Sequence, residues 1–412
     1  MRNDSNSKAE NAKVPFPIYR IAFVNTHPIQ YFAPLYRYLQ AEGGFDVTCL
    51  YFSDFSLRGA IDHGFGCEVK WDIDLLSGYQ PIFMRRSAQR RESRGFFSMV
   101  APEVWPAIRR GKFDAIVIHG HYVAGHHVAL AAAKASGTPV FARGDTNGFR
   151  KHHGVRGRVR KVVLSGFYRM FDGVLSVGTA NDMHYRSMGI PNDHIFRVPF
   201  AVDNSRFSAF ADFGQVRKRD LRLEYGLDPD LPVICFAAKL APHKRPHDLL
   251  KAYAALVSSG TRAQLAIVGT GHLESELRQE AEKIKNGRIS FLGFVNQSRL
   301  PSLFAACDVF VLPSEFEAWG LVVNEAMCAG LPVICSRECG CSHDLVKDGL
   351  NGHVFDVGDI GALYNALSNV LSDGDRQASY SAASREIVAR WSFRECANGL
   401  RQAIDATRGS NA

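Results

Sequence analysis

Short apolar, β-prone runs alternate with helix-patterned stretches along this chain, and the alternation occurs in two blocks. The runs fall at residues 20–24, 47–52, 115–118, 139–142 and 173–177, then at 233–238, 265–268, 289–292, 309–312 and 333–335, with helical stretches such as 248–257 between them. Strands joined through helices are parallel, and a parallel sheet must be covered by helices on both faces. The pattern therefore predicts an α/β protein of two doubly wound domains. A chain of 412 residues with 46% hydrophobic side chains is large enough to build two such cores.

The expected organisation follows from where the pattern starts and stops. Residues 1–15 are polar and lack the apolar centre of a signal peptide, so they read as a disordered tail. A first domain is expected over 16–200 and a second over 201–390, with the break after Val198-Pro-Phe-Ala-Val-Asp203. Residues 391–412 are expected to form a terminal helix. No window approaches the ~18 consecutive apolar residues of a membrane span, so any membrane contact would be peripheral. Nine cysteines, with no CxxC pair, read as buried hydrophobes of a reducing cytoplasm. The expected location is cytoplasmic, extending to the inner membrane face.

The richest segment runs from Pro313 to Pro332. A β-prone run ends at Pro313-Ser314, and Leu321, Val322, Ala326 and Met327 then repeat at helical spacing up to Gly330. Glu317 falls in the connecting loop and Glu325 in the helix. A helix start offers unpaired N–H groups and a positive dipole end to a phosphate, and a carboxylate accepts hydrogen bonds from sugar or ribose hydroxyls. Glutamates at helix starts also complement the dipole without any ligand, so the pair alone is ambiguous.

This segment resembles the signature of the retaining glycosyltransferases of family 4, which have the GT-B architecture of two Rossmann-like domains facing a cleft and carry a Glu-x7-Glu motif. Glu317 and Glu325 have that spacing. The resemblance implies Glu317 beside the donor-sugar hydroxyls, Glu325 on the nucleotide ribose, and the backbone of Trp319, Gly320, Leu321 and Val322 near the diphosphate. It also implies that the terminal helix crosses back to the first domain. It extends strongly over residues 233–352 and loosely before Val198, where Ala201 stands in place of a usual glycine in the linker.

Ligands of open α/β sheets lie at the carboxyl ends of the strands. The run at 233–238 leads into Lys239-Leu-Ala-Pro-His-Lys244-Arg245, cations that can stabilise charge growing on a leaving diphosphate, although a solvated basic turn would look the same in isolation. The segment is similar to the family's Gly-Arg-Leu then Lys-Gly pattern, with Ala238, Lys239 and Arg245 as departures. Lys239 lacks the planar fork of arginine. Gly269-Thr-Gly271 follows the next run, where small residues admit a close ligand. By resemblance this turn lies near the nucleotide, with Phe294 and Val295 against the base. Residues 338–344 would form the last donor loop, in which Cys341 and Asp344 depart from the family, altering either sugar choice or packing.

In the first half, His27 and Gln30 follow the first run and are acceptor candidates, with a satisfied structural histidine as the equal alternative for His27. His121, rather than His119, matches the family's histidine beside the donor sugar. Arg143 and Asp145 either hold the acceptor or pair with each other. The catalytic set is thus His121, Lys239, Lys244 and Glu317. His119, His121, His126 and His127 do not have metal-site spacing, and neither His-Glu-x-x-His nor Asp-x-Asp occurs, so no metal and no cofactor is expected.

The net charge of +8 is concentrated in basic clusters at residues 85–94 and 143–169, near Phe96-Phe97 and Phe167-Tyr168. Such clusters suit an anionic membrane surface as partner as well as a solvated face. No recognition motif accompanies the charge, which argues against nucleic acid. The expected function is transfer of a hexose from a nucleotide diphosphate sugar to a saccharide or lipid-linked acceptor, in cell-surface polysaccharide or glycolipid synthesis. The alternatives are a nucleotide-sugar-binding protein without turnover and a sugar-phosphate synthase or phosphorylase of the same architecture.

Overall fold

The structure, a computed structural model, describes residues 18–62, 67–84, 95–149, 154–210 and 214–409. The expected tail at 1–15 and the basic run at 85–94 lie outside the described residues, as do residues 150–153 of the second basic cluster.

Two parallel sheets form the framework. Among the described residues the first has seven strands, in the order Gln80–Phe83, Phe45–Tyr51, Tyr19–Asn25, Ala115–His119, Val140–Arg143, Gly173–Ser176 and Ile195–Arg197. The second has six, in the order Arg288–Gly293, Gln264–Val268, Val233–Ala237, Val309–Leu312, Val333–Ser336 and Gly352–Phe355. Each β-run named in the sequence became a strand of these sheets. Three strands were not foreseen: Gln80–Phe83, Ile195–Arg197 and Gly352–Phe355. They lie at sheet edges and are only partly buried, so they lack the continuous apolar run that a central strand needs.

Each sheet is doubly wound, and the order reverses once in each. The first reverses between Tyr19–Asn25 and Ala115–His119, the second between Val233–Ala237 and Val309–Leu312. Every residue of the latter two strands is buried. One face of the second sheet is covered by Leu249, Leu250, Tyr253 and Leu256 of the helix Pro246–Ser258, packed with Leu363, Leu367 and Val370. On the other face Val323, Ala326 and Met327 of the helix Leu321–Cys328 close the core.

The last helix, Phe393–Gly409, leaves the second lobe and packs on the first. Its Cys396, Ala397, Leu400, Ala403 and Ile404 share a core with Tyr19, Phe45, Val47 and Leu175. Other ties cross between the lobes. Asn147 Nδ2 donates to the carbonyls of Glu317 and Ala318 at 2.7 and 3.2 Å, and Asn324 Nδ2 donates to the Phe200 carbonyl at 3.0 Å. Asp344 accepts from the backbone N–H and hydroxyl of Thr179 at 2.7 and 2.6 Å, at the start of the helix Thr179–Ser187. The carboxylate of Asp344 thus fastens the two lobes together, which is the packing alternative for that residue.

Candidate functional site

The reversal point of the second sheet is where the side chains after two neighbouring strands converge. Lys239 follows Val233–Ala237, and Glu317 follows Val309–Leu312. Between them lies a pocket lined by Ala238, Lys239, Lys244, Gly269, Phe294, Val295, Gly320, Leu321, Val322, Glu317 and Glu325, with Tyr31 and Trp71 contributed by the first lobe. Ten of the residues singled out in the second half of the sequence therefore share one cavity.

Local structure explains the arrangement. A short turn, Pro242–Lys244, follows the first of these strands and carries Lys244 back over the strand ends. There Lys244 Nζ forms an ion pair with Glu317 Oε2, and both side chains are largely buried. Gly269 allows the adjacent strand end to come close, because a Cβ there would lie 2.0 Å from the Ala238 carbonyl oxygen. Gly320 has φ of 99°, a conformation that favours glycine, and turns the chain abruptly into the helix Leu321–Cys328. Gly320, Leu321 and Val322, at the start of that helix, line the pocket, and a helix start suits an anion.

Glu325 sits in this helix and is 1% exposed. Its Oε1 has no hydrogen-bond partner. Burial pushes its pKa up to about 8, opposed by the charge of Arg206 and a hydrogen bond from Gln297. Arg206 is in turn held by Gln297, its Nη2 donating to Gln297 Oε1 at 2.6 Å. A buried carboxyl group with an unused oxygen on a cavity wall is built to accept a hydrogen bond from a ligand hydroxyl.

Two second-half candidates stand apart. Gly271 does not line the cavity; a Cβ there would meet the Leu240 carbonyl oxygen at 2.5 Å, so its lack of a side chain serves backbone packing. Trp319 turns its indole into the core, its ring centroid 5.0 Å from that of Trp391 and inclined to it by 34°, and donates from Nε1 to Asn324 at 2.9 Å.

The first-lobe candidates are arranged differently, and none of them lines the pocket. His27 Nδ1 meets the Thr26 hydroxyl at 2.9 Å, its ring lies edge-on to Phe55, and burial lowers its pKa to about 4, leaving it neutral. Gln30 precedes Tyr31, and it is Tyr31 that reaches the cavity. The His121 ring packs against Phe167 and Tyr168 of the helix Gly154–Tyr168, at 5.8 and 6.1 Å between centroids. Burial there lowers its pKa, helped by Arg160. Arg143 is 4% exposed and donates to the carbonyls of Val198 and Pro199 at 3.0 and 3.4 Å. Asp145 remains solvent-accessible but crowded by protein, as on the wall of a cleft. Its pKa is raised by that crowding and then by the charge of Glu317, so the two carboxylates are near enough to interact.

Sequence reasoning missed Tyr31, Trp71, Arg206 and Gln297. Tyr31 had the clearest available signal, since it closes the same strand-end loop as His27. Among the described residues the side chains that could jointly reach a metal ion are His247, Glu276 and Glu280, on the helices Pro246–Ser258 and Glu274–Ala281 and outside the pocket. No helix among the described residues is long and apolar enough to cross a membrane.

Two doubly wound lobes with a phosphate-competent pocket at the switch point of the second define a GT-B-type protein. Residues 217–387 match the family model of the glycosyl transferases group 1, and residues 28–201 match that of the glycosyl transferase 4-like domain. The two models together span most of the chain, and the chain belongs to the GT-B glycosyltransferases of this group. It is 30% identical over 204 residues to the GDP-mannose-dependent monoacylated alpha-(1-6)-phosphatidylinositol monomannoside mannosyltransferase of Corynebacterium glutamicum, covering 48% of this chain and 52% of that protein. It is 29% identical over 272 residues to a GDP-mannose-dependent alpha-(1-6)-phosphatidylinositol monomannoside mannosyltransferase of Mycobacterium tuberculosis, covering 63% and 68%. The chain spans about half the length of the first of these relatives. Among solved structures, Anabaena HepE in complex with UDP and glucose superposes with a TM-score of 0.70 at 18% identity, over 94% of this chain and 100% of that one.

Proposed function

We propose that this chain is a retaining, metal-independent glycosyltransferase that moves a hexose from a nucleoside diphosphate sugar to a hydroxyl of a saccharide or lipid-linked acceptor. The observation that carries the reading is the single cavity in which a buried carboxyl group with an unused oxygen, Glu325, faces two lysines and a helix N-terminus. The diphosphate sits against Lys239, Lys244 and the amides from Gly320 to Val322, and the ribose hydroxyls donate to Glu325. Lys244 exchanges Glu317 for the diphosphate when the donor enters, which frees Glu317 for the sugar hydroxyls. Charge on the leaving oxygen is then met by fixed cations. The acceptor attacks from the first lobe, on the side of Asp145.

The nucleotide is tested by thermal shift with uridine, guanosine, adenosine and thymidine diphosphates, followed by transfer or hydrolysis assays with GDP-mannose and UDP-glucose. A ligand of the native state raises the melting temperature in proportion to its occupancy. Stabilisation by one nucleoside diphosphate together with turnover of its sugar supports the reading. Binding without turnover, across these donors and several acceptors, would replace it with a nucleotide-sugar-binding protein.

A lipid-linked acceptor is favoured by the helix Gly154–Tyr168. Leu164, Phe167 and Tyr168 anchor one face of it, while Val155, Val159, Val162 and Val163 lie on another at 57–72% exposure. Their spacing forms one apolar stripe. Arg156, Arg158, Arg160 and Lys161 flank it, and the helix contains no acidic residue. Phe97, 79% exposed, continues the apolar surface through Phe96 and His127 to Phe167. An anionic bilayer complements this surface in both polarity and charge, each cation contributing about 1 kcal/mol near such a membrane. Flotation with phosphatidylglycerol vesicles but not with phosphatidylcholine vesicles is expected; equal behaviour with both would remove the membrane from the reading.

A further inference from the structure

The pocket has a first-lobe ceiling. After the hairpin of Ala60–Asp62 and Cys67–Val69, residues Lys70, Trp71 and Asp72 cross the cleft and land on the loop that follows the strand Arg288–Gly293. Asn296 Nδ2 donates to the Lys70 carbonyl at 2.7 Å, and Asn296 Oδ1 accepts from the Asp72 amide at 3.4 Å. Asp72 Oδ1 accepts from the Ser298 amide at 3.0 Å, and its other oxygen accepts from the Ser298 hydroxyl. These bonds pin Lys70 and Asp72 of one lobe to Asn296 and Ser298 of the other. They hold the Trp71 indole in the pocket wall, its ring centroid 6.1 Å from that of Phe294 and inclined to it by 53°.

Resting on the donor reading above, we propose that Trp71 is a nucleotide-binding residue that stacks on the nucleobase of the donor, and that the strap from Lys70 to Asp72 is the latch that brings it there. Phe294, Val295 and Leu300 add apolar wall to the same pocket, whose cations are Lys239 and Lys244. The two rings stand too close and too inclined to sandwich a base as they are, so the base stacks on one face of the indole alone, and stacking of a base on an aromatic side chain is sequence-tolerant. Because Trp71 belongs to the first lobe, a nucleotide that stacks on it favours the latched arrangement. Base binding and lobe closure are then two readings of one equilibrium. Asn296 and Ser298 receive the strap and do not contact the ligand; they act through Trp71 as positioning residues.

The test compares Trp71→Ala, Trp71→Phe and Asp72→Ala with the native protein, using the four nucleoside diphosphates and inorganic pyrophosphate as probes in calorimetric titration. Loss of one stacking partner is expected to weaken nucleoside diphosphate binding in Trp71→Ala by about 10- to 100-fold, to be largely restored in Trp71→Phe, and to leave pyrophosphate binding unchanged. Asp72→Ala keeps the ring and releases the latch, so it should weaken the same nucleotides by a smaller factor. Nucleotide binding in Trp71→Ala equal to or tighter than native would overturn the proposal and make the indole a bystander or a plug. Failure of every nucleoside diphosphate to bind the native protein would sink the donor reading first and this inference with it. Far-UV circular dichroism of each variant separates these outcomes from misfolding.

Discussion

The strand ends at the two switch points share one topology but differ in chemistry. In the second lobe the helix start from Gly320 and Glu325 line a cavity, and this buried acid is held near pKa 8 with one oxygen unused. In the first lobe the corresponding side chains are engaged mostly with protein and do not line the cavity. Arg143 is bonded to two backbone carbonyls, His119 meets the Tyr36 hydroxyl at 3.2 Å, and the His121 ring is covered by Phe167 and Tyr168. One lobe is prepared for a ligand, and the other mostly for its own rigidity and for closure. Position at a carboxyl end is therefore necessary for a site, but unsatisfied polar capacity on a cavity wall is what distinguishes one: Arg143 Nε and both His126 ring nitrogens are also buried without a partner, yet neither residue lines the pocket.

The sharpest break of this contrast is Lys244→Ala. It removes a cation from the leaving group and also strands Glu317, so turnover should fall by about 10²- to 10³-fold, measured as kcat with saturating donor. Unchanged turnover would mean the Lys244–Glu317 pair is structural, and the two lobes would be alike after all.

Next in size is Glu325→Gln, which should weaken nucleotide binding by about 10- to 100-fold through loss of a charge-assisted hydrogen bond. The same variant carries a pH signature. With a folded pKa near 8 against an ordinary value of 4.5, the native state holds a proton that the unfolded chain has released between those values, so native stability falls as pH rises through that window. Glutamine removes that loss. Its melting temperature should match or exceed the native one, and the gap should widen from about pH 5 to about pH 9. In the proposed donor geometry ribose hydroxyls donate to the ionised carboxylate, so nucleotide affinity of the native protein should tighten as pH rises toward 8, while that of Glu325→Gln stays flat. A flat profile in the native protein would show that Glu325 does not meet the ligand.

Arg143→Met probes the first-lobe side. It leaves the Val198 and Pro199 carbonyls without their donor and should cost about 1–3 kcal/mol of stability by denaturant titration. Nucleotide binding should change less than about twofold; a larger loss would return Arg143 to the binding machinery.

These contrasts also show what a sequence can reveal. The two sheets were legible because central parallel strands are continuous apolar runs, as in Val233–Ala237 and Val309–Leu312. The second-lobe pocket was legible because its parts follow consecutive strands and share one local grammar of strand, turn and helix start. Trp71 was not, since it meets Phe294 only through a lobe-to-lobe contact between segments more than two hundred residues apart, and no local spacing encodes that. The orientation of His121 was hidden for a related reason. Its strand end was visible, but the later helix whose Phe167 and Tyr168 cover the ring was not visibly its neighbour.

Arg245 gives the finest test, because it departs from the family's glycine at a place where the backbone still asks for one. Its φ is 49° and ψ 45°, left-handed for a residue with a Cβ, at about 1–2 kcal/mol of strain. The ion pair with Asp248 offsets part of this but is partly exposed, which limits it to about 1 kcal/mol or less. Arg245→Gly relieves the first and loses the second, so stability by denaturant titration should shift by no more than about 1 kcal/mol. The side chain also fixes the turn that carries Lys244 into the pocket, and a looser turn should lower kcat by a few-fold, far less than Lys244→Ala does. A loss as large as that of Lys244→Ala would place the Arg245 guanidinium on the diphosphate itself. No change in kcat would mean that the turn is set by Pro242 and the strand ends alone.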